Sequence, residues 1–373
     1  MTIPLKLIAA NDTFGALQNL IKALDGEQAL FITAPETNGL MPEVHGLPND
    51  VEADTALIVE SSGSTGVPKR ISLSRQSLLN AANASQLALG SSGQWLLALP
   101  ITYVAGIMVL VRSVVANTQP VLMNTAMQFT AEAFARAASL MNGEHRFTSV
   151  VPTQLLRLAQ AAEVDEHLLG LLKRFDAILV GGQAPNAAVV DGLRAKGVRI
   201  IETYGMTETA GGCFYDGVPL PGVNARIAAN GAIEISSPTL ANNVADDQGW
   251  YQTSDLGAID SLGKLTVLGR LNRVVASGGI KVSLDRVEEL IRAIGGVTDV
   301  AAIAVDSEEW GQRVAIVYTG SPEVADYVAG GVLEQLGAAA KPVRVIRVDA
   351  LPKLSSGKPD YLGLKQYFEE PES

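Results

Sequence analysis

The chain has 373 residues, enough for more than one domain, and its 47% hydrophobic and 18% charged residues exclude a disordered chain. A net charge of −11 with no Lys/Arg cluster argues against an extended nucleic-acid surface. One cysteine, Cys213, excludes an internal disulfide framework and suits a reducing cytosol, and the three histidines (His45, His145, His167) lack metal-ligand spacing. No basic region precedes an apolar core at the N-terminus, so no signal peptide is expected.

In chain order, the apolar run 55–59 predicts a buried strand. The loop Ser61-Ser62-Gly63-Ser64-Thr65-Gly66-Val67-Pro68-Lys69 follows, with little sequence before it. Small residues let backbone N–H groups approach an anion, hydroxyls add donors, and Lys69 adds a charge for a polyphosphate. The spacing is not that of the Walker loop, and alone the segment reads equally as a flexible Ser/Gly surface loop. A helix is predicted at 75–89 with Ser74 as its N-cap. Strand-like runs at 95–99, 120–123, 148–151, 177–180 and 198–201 alternate with helical patterns at 131–140, 154–161 and 187–196, which indicates an α/β domain with mostly parallel strands. The longest apolar stretch, 104–116, is broken by Arg112 and is too short to span a bilayer. From 222 to 270 short strands and turns predict a small β-rich part. After Arg270 a compact α+β unit is predicted, with strands at 274–276, 300–305 and 313–318 and helices at 284–293 and 324–336.

Four further segments stand in order behind the loop: 201–209 (Ile-Glu-Thr-Tyr-Gly-Met-Thr-Glu-Thr), 251–257 (Tyr-Gln-Thr-Ser-Asp-Leu-Gly), 269–273 (Gly-Arg-Leu-Asn-Arg) and 351–358 (Leu-Pro-Lys-Leu-Ser-Ser-Gly-Lys). With the loop, this ordered set resembles the adenylate-forming superfamily of acyl-CoA ligases, luciferases and peptide-synthetase adenylation domains, over about residues 55 to 360. The resemblance implies an α/β fold: a large N-terminal adenylation domain over 1–271, whose β-rich part is about 222–270, and a small mobile α+β domain over 272–373. It implies ATP, Mg²⁺ and CoA as cofactor and co-substrates, small-molecule substrates, no nucleic acid and no membrane span, and a cytoplasmic enzyme whose oligomeric state is open.

Residue by residue, the resemblance assigns Ser61, Ser62, Gly63, Ser64, Thr65, Gly66 and Lys69 to the phosphates of ATP, and Gly181, Gly182 and Gln183 to adenine. Thr203, Tyr204 and Gly205 join the nucleotide site, with Tyr204 stacking on adenine. Thr207 contacts phosphate and Glu208 holds Mg²⁺, a hard cation that takes one or two carboxylates plus phosphate oxygens. Asp255 accepts from the ribose hydroxyls, and Arg270 reaches ribose and phosphate. Lys358 is the mobile catalytic lysine that neutralises charge developing at the α-phosphate. Asn272 is the hinge, where many relatives carry Asp. Ser277, Gly278, Gly279 and Lys281 match the loop that enters for thioester formation. Without the resemblance, Glu208 is an acid at a helix start, Tyr204 a half-buried core residue, Asp255 a turn residue and Lys358 a solvated lysine.

Two departures stand out. Tyr103-Val104-Ala105-Gly106 replaces the His-x-x-Gly common among relatives, and Arg70 follows Lys69 where Gly is common. Tyr103, Gly106 and Arg112 are read as the acyl pocket. A lone cation in an apolar run is costly unless paired, so Arg112 is read as gripping the second carboxylate of a dicarboxylic acid. A solvated Arg on a helix's polar face remains the alternative. Another small aryl- or acyl-acid–CoA ligase, an enzyme that loads a carrier protein, and a non-catalytic nucleotide-binding relative also remain open.

Overall fold

The computed structural model describes residues 1–61, 69–353 and 359–369. Ser62, Gly63, Ser64, Thr65, Gly66 and Lys358 lie outside the described residues. The chain is mixed α/β and divides into two compact units: residues 1–226, 234–252 and 260–265 form the first and larger, and 227–233, 253–259 and 266–373 the second.

The larger unit opens with strands β1 (Thr2–Ala9), β2 (Ala29–Thr33), β3 (Asp50–Glu52), β4 (Thr55–Ser61) and β5 (Lys69–Ser74), with helix α1 (Thr13–Leu24) after β1. They form a sheet in the order β3-β1-β2-β4-β5, where β1, β2 and β4 are parallel and β5 returns antiparallel to β4. Helix α2 (Arg75–Leu89) starts where Ser74 Oγ accepts from Ser77 N–H (3.0 Å), the expected N-cap, and stops at Gly90 in the left-handed conformation.

A second sheet follows: β6 (Gln94–Leu97), β7 (Val121–Leu122), β8 (Arg146–Val150), β9 (Ala177–Val180), β10 (Ile200–Met206), β11 (Gly211–Tyr215) and β12 (Val218–Pro219). Its order is β12-β11-β10-β9-β8-β6-β7. The strands from β10 to β7 pair in parallel, and β11 and β12 are antiparallel. The crossovers carry helices α3 (Val104–Val115), α4 (Ala131–Ser139), α5 (Pro152–Ala161), α6 (Glu166–Leu172) and α7 (Ala187–Ala195). The near-continuous apolar strands 177–180 and 94–97 are buried throughout, as parallel strands covered on both faces must be. Phe134, Leu155, Leu158, Leu168, Leu171, Val190 and Leu193 from α4 to α7 pack on Leu96, Val150, Ile178 and Ile200. Strands β13 (Asn224–Ile227), β14 (Ala232–Ser236), β15 (Tyr251–Ile259) and β16 (Leu265–Arg270) occupy the turn-rich stretch.

In the second unit, β17 (Val274–Ser277), β18 (Ile280–Ser283), β19 (Val297–Ser307), β20 (Gly311–Gly320) and β21 (Arg344–Arg347) form a sheet in the order β18-β17-β20-β19, with β21 parallel to β20. Helices α8 (Leu284–Arg292), α9 (Ala325–Leu336) and α10 (Tyr361–Glu369) complete it. Along β19 the side chains alternate as strand geometry requires: Val300 and Ala302 join the cluster of Val287, Ile291, Val328 and Val332, while Ala301 and Ile303 join Leu351 and Leu364.

Candidate active site

Three of the segments singled out in the sequence, 103–106, 181–183 and 201–209, lie at or beyond the carboxyl ends of the parallel strands β6, β9 and β10. In open α/β sheets ligands bind at this carboxyl edge. Gly181 follows β9, its N–H donating to Val150 O (3.3 Å). A Cβ there would stand 2.4 Å from Thr203 Oγ1, which itself donates to Val180 O (3.1 Å). Only glycine fits between the two strands, and Gly182 then turns the chain at φ +86°. Tyr204 is half-buried, its ring 6.0 Å from that of Phe214 at 51°. The β10–β11 register shifts between Tyr204 and Gly205, and a Cβ on Gly205 would lie 2.0 Å from Gly211 O. This irregularity ends the strand and starts the single 3₁₀ turn Thr207–Thr209. The turn is held by Met206 N–H donating to Thr209 Oγ1 (3.0 Å) and by Ala241 N–H donating to Glu208 O (2.8 Å).

The fold brings Lys69, at the start of β5, to Glu208: Nζ stands 4.0 Å from Oε1, with the lysine exposed and the glutamate largely covered. Two residues far apart in sequence thus converge, one cation and one carboxylate. Among the described residues no three His, Cys, Asp or Glu side chains cluster as a metal cage. A single carboxylate suits an ion that takes its other ligands from phosphate and water. Burial pushes the Cys213 thiol up to about 12, which leaves it no nucleophile near neutrality.

Arg70 has a structural role that the sequence did not reveal. Its Nε donates to Glu60 (3.0 Å), and its two terminal nitrogens donate to Gly46 O and His45 O (both 2.7 Å). It ties segment 45–46 to β5, one residue from Lys69.

Of the three residues read as the acyl pocket, Arg112 alone is placed away from the carboxyl edge. Tyr103 is half-buried and precedes α3 as its N-cap residue, near the strand ends. Gly106 is buried, and a Cβ on it would lie 2.2 Å from Pro100 O, so glycine is required for α3 to pack on the turn after β6. Arg112 is corrected outright. It lies in the last turn of α3, and its guanidinium covers the Trp95 ring at 5.0 Å, beside Ser91, Ser92 and Gly93, which precede β6. That is the opposite end of β6 from the carboxyl edge. The side chain is 7% exposed, and its Nε has no hydrogen-bond partner among the described residues. Its charge is compensated by the Trp95 π face and by the carbonyl end of α3.

In the second unit, Asp255 and Arg270 meet: Nε donates to Oδ1 at 3.0 Å across neighbouring segments of β15 and β16, with Asp255 largely covered. Asn272 lies in the 3₁₀ turn Leu271–Arg273. Gly278 and Gly279 take φ +57° and +82°, and Gly278 packs so closely on Trp310 that a Cβ would lie 2.6 Å from the ring. Lys281 is exposed on β18. Ser277 is wholly buried and its hydroxyl has no partner among the described residues, so the exposed part of that loop is Gly278, Gly279, Ile280 and Lys281.

The model of the AMP-binding enzyme family matches residues 11–251, and that of the AMP-binding enzyme C-terminal domain matches 286–358. A protein of Mycobacterium tuberculosis named "Probable 2-succinylbenzoate--CoA ligase" is 35% identical over 374 residues, covering 96% of this chain and 97% of the relative. The 2-succinylbenzoate–CoA ligase of Bacillus licheniformis is 29% identical, over 82% of this chain and 68% of its own. Among solved structures, o-succinylbenzoate CoA synthetase from Bacillus subtilis in complex with the acyl-adenylate intermediate superposes with a TM-score of 0.75 at 21% identity, over 96% of this chain and 81% of that one. The amide bond synthetase McbA of Marinactinospora thermotolerans gives the same TM-score at 18% identity, over 98% and 80%, so this fold also carries other acyl chemistry. With a family model covering well over half its length and a relative of more than 30% identity spanning nearly all of it, the chain belongs to the AMP-binding enzymes.

Proposed function

We propose that the chain is a 2-succinylbenzoate–CoA ligase of menaquinone biosynthesis. The observation that carries this reading is the near-complete length match to the mycobacterial relative of that name. In the first step a carboxylate oxygen of the acid attacks the α-phosphorus of ATP and pyrophosphate leaves. In the second the sulfur of CoA attacks the acyl carbon, AMP leaves with the bonding pair, and the thiol proton is released.

The residues that the resemblance assigns suit these steps. Lys69 and the loop 61–66 hold the phosphates, and Thr207 adds a hydroxyl donor to them. Glu208 supplies the one carboxylate a Mg²⁺ ion needs beside phosphate oxygens, and the ion, when bound, neutralises phosphate charge. Gly181, Gly182 and Gln183 leave a flat backbone surface for adenine, with Thr203, Tyr204 and Gly205 on the neighbouring strand. Asp255 takes the ribose hydroxyls while Arg270, already bonded to it, reaches toward the phosphate. Lys358 serves the first step. Gly278, Gly279 and Lys281 serve the second, after a rotation near Asn272, which also marks the boundary between the adenylation domain and a mobile C-terminal domain. Tyr103 stands at the acyl side, where a neutral hydroxyl replaces an imidazole.

A panel of carboxylic acids assayed for ATP- and CoA-dependent thioester formation tests the reading. The expected result is preference for 2-succinylbenzoate with release of AMP and pyrophosphate. Preference for a monocarboxylic acid sinks the substrate assignment, and absence of pyrophosphate with every acid sinks the ligase.

A further inference from the structure

We infer that Asp285 is a positioning residue whose carboxylate latches the chain across Asn272, fixing where Arg270 stands and setting the balance between the two half-reactions. The inference rests on the proposed ligase reading for its catalytic consequence, but not for its geometry.

Asp285 lies in the first turn of α8, capped by Ser283. Its two carboxylate oxygens are divided between the two sides of the pivot. Oδ2 accepts from the backbone N–H of Arg270 at 2.6 Å, before Asn272, and Oδ1 accepts from Nε of Arg273, after it. Ser283 Oγ donates to Leu268 O (3.3 Å), a second bond from the start of α8 to the strand ahead of the pivot. Gly269 makes the fit possible: at φ +128° it lets β16 lie against α8 so closely that a Cβ would stand 2.7 Å from Ser283 Oγ and 3.0 Å from Asp285 Cβ.

Arg273 belongs firmly to the α8 side. It also bonds Glu288, donates to Ala302 O (3.2 Å) and lies over the Tyr361 ring at 3.8 Å. A backbone rotation at Asn272 therefore carries Arg273 and Asp285 together and moves both away from Arg270. The bonds that must break are Arg270 N–H to Asp285 and Ser283 to Leu268. The first is charge-assisted, the stronger class of hydrogen bond. Because Arg270 also holds Asp255 (3.0 Å), the latch fixes the pair proposed to meet the ribose.

Removing the latch shifts the equilibrium between pivot settings by about 5- to 30-fold, the effect of losing one such bond. The experiment uses the full chain with Asp285→Ala and, as an independent disruption from the opposite side, Gly269→Ala. In hydrogen exchange of the free protein, amides 268–273 exchange about 5- to 30-fold faster in both variants, while those of the β19–β20 pairing keep their rates. Unchanged exchange at 268–273 overturns the latch, as does faster exchange throughout the second unit, which marks general unfolding. In kinetics, the ratio of pyrophosphate release to thioester formation from preformed acyl-adenylate changes by a similar factor in both variants, with the Michaelis constant for ATP moving less. Equal losses in the two half-reactions overturn the positioning role. A wild-type protein with neither half-reaction sinks the ligase reading alone, because the exchange arm stands without it.

Discussion

Replacing Arg112 separates the two accounts of this residue. The guanidinium over Trp95 at 5.0 Å contributes about 1–2 kcal/mol as a largely desolvated cation–π contact, and its place in the last turn of α3 adds about 0.3–1 kcal/mol. Against this, the buried Nε without a partner costs about 1–3 kcal/mol. The polar terms nearly cancel, so Arg112→Met, which keeps most of the volume, should change unfolding free energy by less than about 1 kcal/mol. Arg112→Ala also loses two methylenes, Cγ and Cδ, at about 0.8 kcal/mol each, and should cost about 1.5–2 kcal/mol. Denaturant unfolding followed by Trp fluorescence reads both values. In the thioester assay neither variant should move the Michaelis constant for the acid or for ATP by more than about twofold. A rise of about 30-fold or more for a dicarboxylic acid, with a monocarboxylic analogue and ATP unaffected, would show that the side chain reaches the substrate and that its placement beside Trp95 is wrong.

Gly205→Ala places a methyl carbon against Gly211 O, backbone on backbone, so β10 and β11 must part. The expected loss is about 1–3 kcal/mol of stability and about 100-fold or more in pyrophosphate release, since the strand end carries Thr207 and Glu208, and near-native kinetics would refute that packing. Lys358→Ala should abolish adenylate formation far more than thioester formation from preformed acyl-adenylate, and equal losses would contradict a role confined to the first step. The His145–Asp176 pair (3.0 Å) makes stability depend on pH. The hydrogen bond that the imidazole donates to Asp176 raises it above its ordinary 6.5. Burial pushes the Asp176 carboxyl up, but the bonds from His145 and Arg146 N–H outweigh it and hold the group below its ordinary 3.8. The histidine's contribution is complete below pH 6.5 and lost as pH rises through its raised value. The aspartate's is complete above pH 3.8 and lost on acidification. His145→Gln should therefore lower the melting temperature most between about pH 4.5 and 6 and least above pH 8, and a pH-independent difference would rule the pair out as the cause.

Much of the architecture follows from signals that short segments carry alone. The helix 75–89 is bounded by a Ser cap and a Gly stop and appears at those residues. The all-apolar run 177–180 becomes a central strand. Strand β1 was not legible, because it is a half-exposed strand whose role depends on pairing with β2 and β3. Arg112 failed for a different reason. Nine residues along a helix is about 13.5 Å, so proximity to Tyr103 in sequence put the two at opposite ends of α3, and hence of β6. Arg70 and Asp285 were illegible because their partners, segment 45–46 and Arg270 with Arg273, are set by chain reversal rather than by local pattern. The contrast has a physical basis. Motif residues that touch a ligand are constrained by the ligand's shape and recur at fixed spacing. Residues that position them are constrained only by whatever the fold brings opposite, and a carboxylate can be supplied from any nearby element. The same reasoning explains why Asp255 and Arg270 could each be read from its own segment, while the bond between them and the aspartate that fixes the arginine's backbone required the folded chain.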